Sequence, residues 1–120
     1  MEKLVLVIDD DELIRGMVRW ALEAAGYAVL EAENGLHALQ VISSCQRQPD
    51  LILLDLRMPG MDGWAFARAY RGVAVPLAPV VVMTAETGAK AQAEEINATA
   101  YLEKPFQIAD LYATVEQFVA

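Results

Sequence analysis

The stretch Leu4-Val5-Leu6-Val7-Ile8-Asp9-Asp10 decides the reading of this chain: an unbroken, β-branched-rich apolar run that stops abruptly on acids. A strand with one wet face alternates apolar and polar residues, whereas a strand without alternation is buried on both faces. The same signature returns at Leu51-Ile52-Leu53-Leu54 before Asp55, and at Val80-Val81-Val82-Met83 before Thr84. Ala100-Tyr101-Leu102, running into Lys104-Pro105, reads as a further strand, and Tyr27 to Glu31 as a short one. Between them lie stretches of helical period. Leu13, Ile14, Met17, Val18, Ala21 and Leu22 recur at helical spacing, with Gly26 where a C-cap belongs. Asn34-Gly35 opens a helix carrying Leu36, Leu39 and Ile42, and the turn Met58 to Gly63 leads into a helix reaching about Arg71. Val73 to Pro79, with two prolines, is a loop; Ala89 to Ile96 is an alanine-rich helix with Asn97 suited to its αL terminus. Ile108, Leu111, Val115 and Phe118 give the last helix its stripe. Five βα units imply a doubly wound α/β domain, a parallel sheet covered by helices on both faces. In such folds ligands bind beyond the carboxyl ends of the strands.

Composition narrows the function. At 120 residues, residues 1–120 are expected to form one domain, and a hydrophobic fraction of 56% is ample for its core. No apolar run approaches the roughly 18–20 residues of a membrane span, and no signal-peptide pattern opens the chain. Cys45 is the single cysteine, which excludes an internal disulfide and fits a reducing compartment, so a cytoplasmic address is expected. Seventeen acids against nine bases give a formal charge of −8. That surface repels nucleic-acid phosphate and anionic lipid, so no direct nucleic-acid or membrane binding by this chain is expected.

The strand ends carry the chemistry. Asp9 and Asp10, Asp55, Thr84 and Lys104 each follow an apolar strand, and parallel strands bring them to one rim. Crowded carboxylates raise proton affinity or recruit a cation. An oxygen-only, open site suits Mg²⁺. Lys104 offers a point charge for a phosphate oxygen, and Thr84 a donor. Metal, cation, hydroxyl and a carboxylate nucleophile are the parts of a phosphoryl-transfer site. Asp55, alone at the end of a central strand, is the candidate nucleophile. Asp9 and Asp10 are the candidate metal-holding pair, one directly and one through water, because adjacent residues point to opposite sides.

Taken together, Asp9-Asp10, Asp55, Met58-Pro59-Gly60-Met61-Asp62-Gly63, Thr84-Ala85 and Lys104-Pro105-Phe106 resemble the receiver domain of bacterial two-component response regulators, over the whole chain. The resemblance implies a CheY-like, flavodoxin-like sheet of strand order 2-1-3-4-5. It implies that Asp55 accepts phosphoryl from a sensor histidine kinase or histidine phosphotransfer protein, with the domain catalysing only its own phosphorylation and dephosphorylation. It further implies that Asp9, Asp10, Asp55 and the backbone carbonyl of Arg57 hold Mg²⁺, and that Thr84 and Lys104 contact the phosphoryl group. Tyr101 matches the aromatic that turns inward as Thr84 moves, and the Lys104-Pro105 bond is expected to be cis. The fourth helix, fifth strand and last helix would carry the changed surface to a downstream target, a fused output domain or a phosphorylation-dependent homodimer. The sequence departs from the pattern in three places. Asn97 replaces a usual glycine, the stretch from Thr84 to Lys104 is a residue or two short, and Arg57 and Glu86 occupy the variable positions that tune dephosphorylation in the family.

Other readings compete. Asp9-Asp10-Asp11 contains the Asp-x-Asp of haloacid-dehalogenase-like phosphatases, which would make Asp9 the nucleophile, yet no acidic pair follows Lys104 as those enzymes need, Asp110 standing isolated there. A nucleotide or flavin binder would want a glycine-rich loop after the first strand rather than acids. Of the remaining residues, His37 is expected to be a solvated surface group and Cys45 inert, while Trp20 and Trp64 are expected to pack. The fourth helix, with Ala89, Ala91 and Ala93 facing inward, buries little area and is expected to be the least stable of the five.

Overall fold

Unbroken apolar runs become the inner strands of a sheet because both of their faces need cover. The computed structural model describes residues 2–72, 77–85 and 88–119. Ten elements alternate along it: β1 (Leu4–Ile8), α1 (Glu12–Ala24), β2 (Ala28–Ala32), α2 (Gly35–Ser44), β3 (Leu51–Asp55), α3 (Gly63–Arg71), β4 (Val80–Thr84), α4 (Ala89–Glu95), β5 (Ala100–Glu103) and α5 (Ile108–Phe118). The strands form one parallel sheet in the order β2-β1-β3-β4-β5. This is the doubly wound arrangement expected from the alternation. The loop read over Val73 to Pro79 and the variable position Glu86 fall wholly or partly outside the described residues.

Alternate side chains of each strand feed two cores. Leu6, Ile8, Ile52, Leu54 and Val82 point into a layer closed by α2, α3 and α4, through Ala38, Ile42, Phe66, Tyr70 and Ala93. Val5, Val7, Leu51, Leu53, Val81 and Met83 point into the other, closed by α1 and α5 through Val18, Leu22, Leu111 and Val115. Each fully buried aliphatic side chain contributes about 1.5–3 kcal/mol, and the strands carry most of them, so the sheet is the rigid part of the molecule.

Helix starts are set by short polar side chains. Asp11 accepts from the backbone N–H groups of Leu13 and Ile14, Asn34 from that of His37, and Asp62 from that of Ala65. Gly26 and Asn97 have positive φ just past α1 and α4, so the expectation for both chain reversals is met. Gly63 is a different case. A Cβ there would lie 2.5 Å from the carbonyl oxygen of Asp55 and 2.7 Å from the Cα of Leu56, so only glycine lets α3 begin against the end of β3.

Several expectations need correction. Trp20 does not pack; it is 69% exposed, as is most of Leu13, because α1 presents only Val18, Ala21 and Leu22 fully to the sheet and its apolar stripe is wider than the face that is covered. His37 is not a freely solvated residue. It is half-buried, and its Nδ1 accepts from the backbone N–H of Glu33 while Asn34 caps its own, a reciprocal cap at the start of α2. Ala91 faces solvent, and Ile96 joins Ala89 and Ala93 in the core instead. The second strand begins at Ala28 rather than Tyr27, which packs from outside it.

α4 has seven residues, with Gly88 as an N-cap without a side-chain cap bond. Amide exchange along α4 should therefore be faster than along α1, read by hydrogen–deuterium exchange; equal protection would contradict this. Gly63→Ala should lower stability by about 1–3 kcal/mol in urea denaturation, and an unchanged midpoint would show that the β3–α3 junction relaxes freely.

Candidate functional site

The parallel register decides which strand-end residues meet. Ile8 lies beside Leu54 and Asp55 beside Met83, so the residues after β1, β3 and β4 emerge on one edge. Thr84 pairs with Glu103, and the backbone N–H of Lys104 donates to the carbonyl of Thr84 at 2.8 Å, which brings the residue after β5 to the same place. All five residues expected at the rim are found there.

The acids are close enough to share one ion. One oxygen from each of Asp9, Asp10 and Asp55 lies within 4.8 Å of the others, the only such acidic group found among the described residues. Asp9, Asp55 and Thr84 are buried, whereas Asp10 is exposed. The adjacent acids thus differ in solvent access although their carboxylates share one site. The Lys104 ammonium stands between the two buried acids, 2.7 Å from Asp9 Oδ2 and 3.6 Å from Asp55 Oδ2. Asp9 Oδ1 accepts from the backbone N–H of Asp11 at 2.9 Å, so both of its oxygens are occupied by the chain itself.

Asp55 is strongly perturbed by its surroundings. Burial raises its pKa to about 6, and the Asp9 and Asp10 carboxylates push the same way. The Lys104 charge and the backbone N–H of Arg57 pull it down, but less than burial raises it. A poorly solvated carboxylate with two acids beside it has the donor chemistry a hard divalent cation relieves, and the all-oxygen set fits Mg²⁺ rather than a thiolate- or imidazole-seeking metal.

The loop that closes the site is fastened at several points. The backbone N–H of Gly63 donates to the Leu56 carbonyl at 3.0 Å, and that of Gly35 to the Met61 carbonyl at 2.9 Å, tying the loop to the start of α2. The Arg57 guanidinium lies over the Trp64 ring, 4.9 Å from its centroid. Tyr101, on the edge strand β5, is 38% exposed, and the Lys104-Pro105 peptide is cis.

Sequence reasoning missed Arg15. It lies one turn into α1, but its Nη1 donates to the backbone carbonyl of Asp9 at 2.7 Å, which puts it behind the rim. Its position four residues after Asp11, on the helix that starts directly after the acids, was the available signal.

A doubly wound sheet with an acidic rim at the carboxyl ends of its strands, and no glycine-rich loop after β1, sets this fold apart from a dinucleotide binder. The family model for the response regulator receiver domain matches residues 5–116, and the chain belongs to that family. It is 39% identical over 119 residues to the DNA-binding transcriptional regulator NtrC of Escherichia coli K12, covering 98% of this chain and 25% of that protein. It is 41% identical over 117 residues to the phosphate regulon transcriptional regulatory protein PhoB of Pseudomonas aeruginosa, covering 95% of this chain and 50% of that one. The chain therefore spans a quarter to a half of the curated relatives named. Among solved structures, the Vibrio cholerae chemotaxis protein CheY4 superposes with a TM-score of 0.88 at 31% identity, covering 98% of this chain and 99% of its own. No helix among the described residues is long and apolar enough to cross a membrane.

Because the folded state binds the Asp55 proton more tightly than the unfolded chain does, this group favours folding at low pH. That contribution is complete below the ordinary carboxylate value of about 3.9 and is lost as pH rises through about 6. Asp55→Asn removes the buried charge at nearly constant volume. In metal-free buffer it should be more stable than the wild type at about pH 8, by about 1–2 kcal/mol after solvent screening, and the difference should close near about pH 4. Thermal melts across pH check this, and a pH-independent difference would contradict it.

Proposed function

We propose that this domain is the phosphoacceptor switch of a two-component pathway, with Asp55 accepting a phosphoryl group from the phosphohistidine of a sensor kinase or histidine phosphotransfer protein. The observation that carries the reading is the single rim on which three carboxylates gather, two of them beside one ammonium. Asp9, Asp10, Asp55 and the Arg57 backbone carbonyl would hold Mg²⁺, directly or through water. When bound, the ion supplies positive charge that offsets repulsion between the rim acids and an incoming phosphoryl group.

The chain's own residues account for the rest. An Asp55 carboxylate oxygen attacks phosphorus, the P–N bond to the donor imidazole breaks, and the imidazole leaves with its electron pair and takes a proton from solvent. The product is an acyl phosphate on Asp55. Only the ionised carboxylate is a nucleophile; burial raises the Asp55 pKa in the metal-free site, and a dication held beside it would favour the ionised form. Lys104 would turn from Asp9 toward a phosphoryl oxygen, and the Thr84 hydroxyl would donate to another. Movement of Thr84 would open space for Tyr101 to turn inward, changing the surface of α4, β5 and α5. Arg57 would occupy one of the positions that tune the lifetime of the acyl phosphate.

What reads that surface is a target protein, a fused output domain or a second copy of the domain. The transcriptional regulators NtrC and PhoB, of which the match makes up a quarter and a half, favour an input role ahead of a larger output.

The phosphatase alternative, with Asp9 as nucleophile, has no support in the family match, and the local geometry disfavours it. Both Asp9 oxygens are held by the chain, and of the two acids after Lys104, Asp110 caps α5 by accepting from the Gln107 backbone N–H while Glu116 lies further along that helix. Incubation with acetyl phosphate and Mg²⁺ should phosphorylate the wild type, seen as a mobility shift on a phosphate-affinity gel, and should leave Asp55→Asn unmodified. Unimpaired labelling of Asp55→Asn would sink the proposal.

A further inference from the structure

The Asp9 backbone is held as firmly as its side chain. Its N–H donates to the Ala32 carbonyl at 3.1 Å, extending the β1–β2 ladder by one bond. Its carbonyl, the first past the end of β1, accepts from Arg15 Nη1 at 2.7 Å. The same guanidinium donates through Nε to Glu31 Oε1 on β2 at 3.1 Å, and Glu31 Oε2 accepts from Arg19 Nη1 at 2.8 Å. The Arg15 side chain is only 15% exposed.

From this geometry we infer that Arg15 is a positioning residue for the divalent-cation site, orienting the peptide that joins Asp9 to Asp10. That peptide determines how far apart the two carboxylates stand. Asp9 is immobilised by Lys104 and the Asp11 N–H, so rotation about the linking peptide displaces Asp10, the exposed member of the acidic group. A charge-assisted bond to the carbonyl resists that rotation more strongly than a neutral donor would.

Glu31 has a matching task. An unneutralised guanidinium bonded to the Asp9 carbonyl would oppose a dication on the other side of that residue. Glu31 cancels this charge at 3.1 Å, and Arg19 holds Glu31 in place. The cation site thus gains the rigidity of an arginine without its field. Outer partners that orient metal ligands are commonly worth about 10- to 100-fold in metal affinity.

The inference rests on the reading of the rim as a Mg²⁺ site, and the test separates the two. Mg²⁺ is titrated into the full chain and followed by calorimetry, with metal-free melts recorded alongside. Arg15→Met should bind Mg²⁺ about tenfold more weakly than the wild type, and Arg15→Lys should recover part of the loss. Glu31→Gln, which keeps the bond to the Asp9 carbonyl but exposes the charge, should weaken binding about threefold. A purely structural arginine would lower the metal-free melting temperature and leave the affinity alone. Wild-type affinity in Arg15→Met overturns the inference; should that variant not fold, wild-type affinity in Glu31→Gln does so. A wild-type chain that binds no Mg²⁺ would overturn the functional reading along with it.

Discussion

Two carboxylates held out of water at the ends of adjacent strands, with a third close by and one ammonium between them, are the constraint on which the rest of this structure depends. An isolated buried carboxylate is costly, and two side by side are worse. Lys104 answers that cost in part, which is why the chain must return to the rim after β5 and why the backbone of Lys104 is bonded to that of Thr84. The remaining cost, chiefly burial and to a smaller extent the neighbouring acids, appears as the raised pKa of Asp55. A site balanced this way gains from any added positive charge, and a Mg²⁺ ion meets that need under the proposed function.

Rigidity and mobility are divided accordingly. The three central strands end in the acids and Thr84 and are buried along nearly their whole length, so the rim does not drift. α4 and the edge strand β5 are less well supplied. α4 is short, lacks a side-chain cap and relies on two alanines and Ile96 for its cover, while Tyr101 stands partly in solvent. Elements with little buried area are those a small charge change can shift. Two of the three elements of the proposed reporting surface, α4 and β5, are thus lightly anchored.

Much of this was legible in the sequence for identifiable reasons. Strands such as Leu51–Leu54 announced themselves because a two-sided burial requirement leaves no polar residue in the run, and the acids after them followed from parallel geometry. The helix start at Asn34 and the positive φ of Asn97 came from local chemistry that acts within a few residues. What escaped depended on contacts distant in the chain or on how wide a helix face is covered. Arg15 reads as an ordinary helix charge until β2 supplies Glu31, sixteen residues away. Trp20 reads as core because periodicity gives the direction of an apolar face and not the extent of its partner. Lys104 was expected to serve a phosphate; the structure adds that it lies nearer Asp9 than Asp55. Ala91 was assigned inward from composition, whereas the helical turn puts it on the solvent side.

The central claim is that one acid, Asp55, receives the phosphoryl group. Its most direct test is chemical location of the label: phosphorylation with acetyl phosphate and Mg²⁺, trapping of the acyl phosphate by borohydride reduction, and peptide mapping by mass spectrometry. Conversion of Asp55 to homoserine is the expected result. Reduction at Asp9 or Asp10 with Asp55 intact, or a label carried on a hydroxyl or imidazole instead, would contradict it.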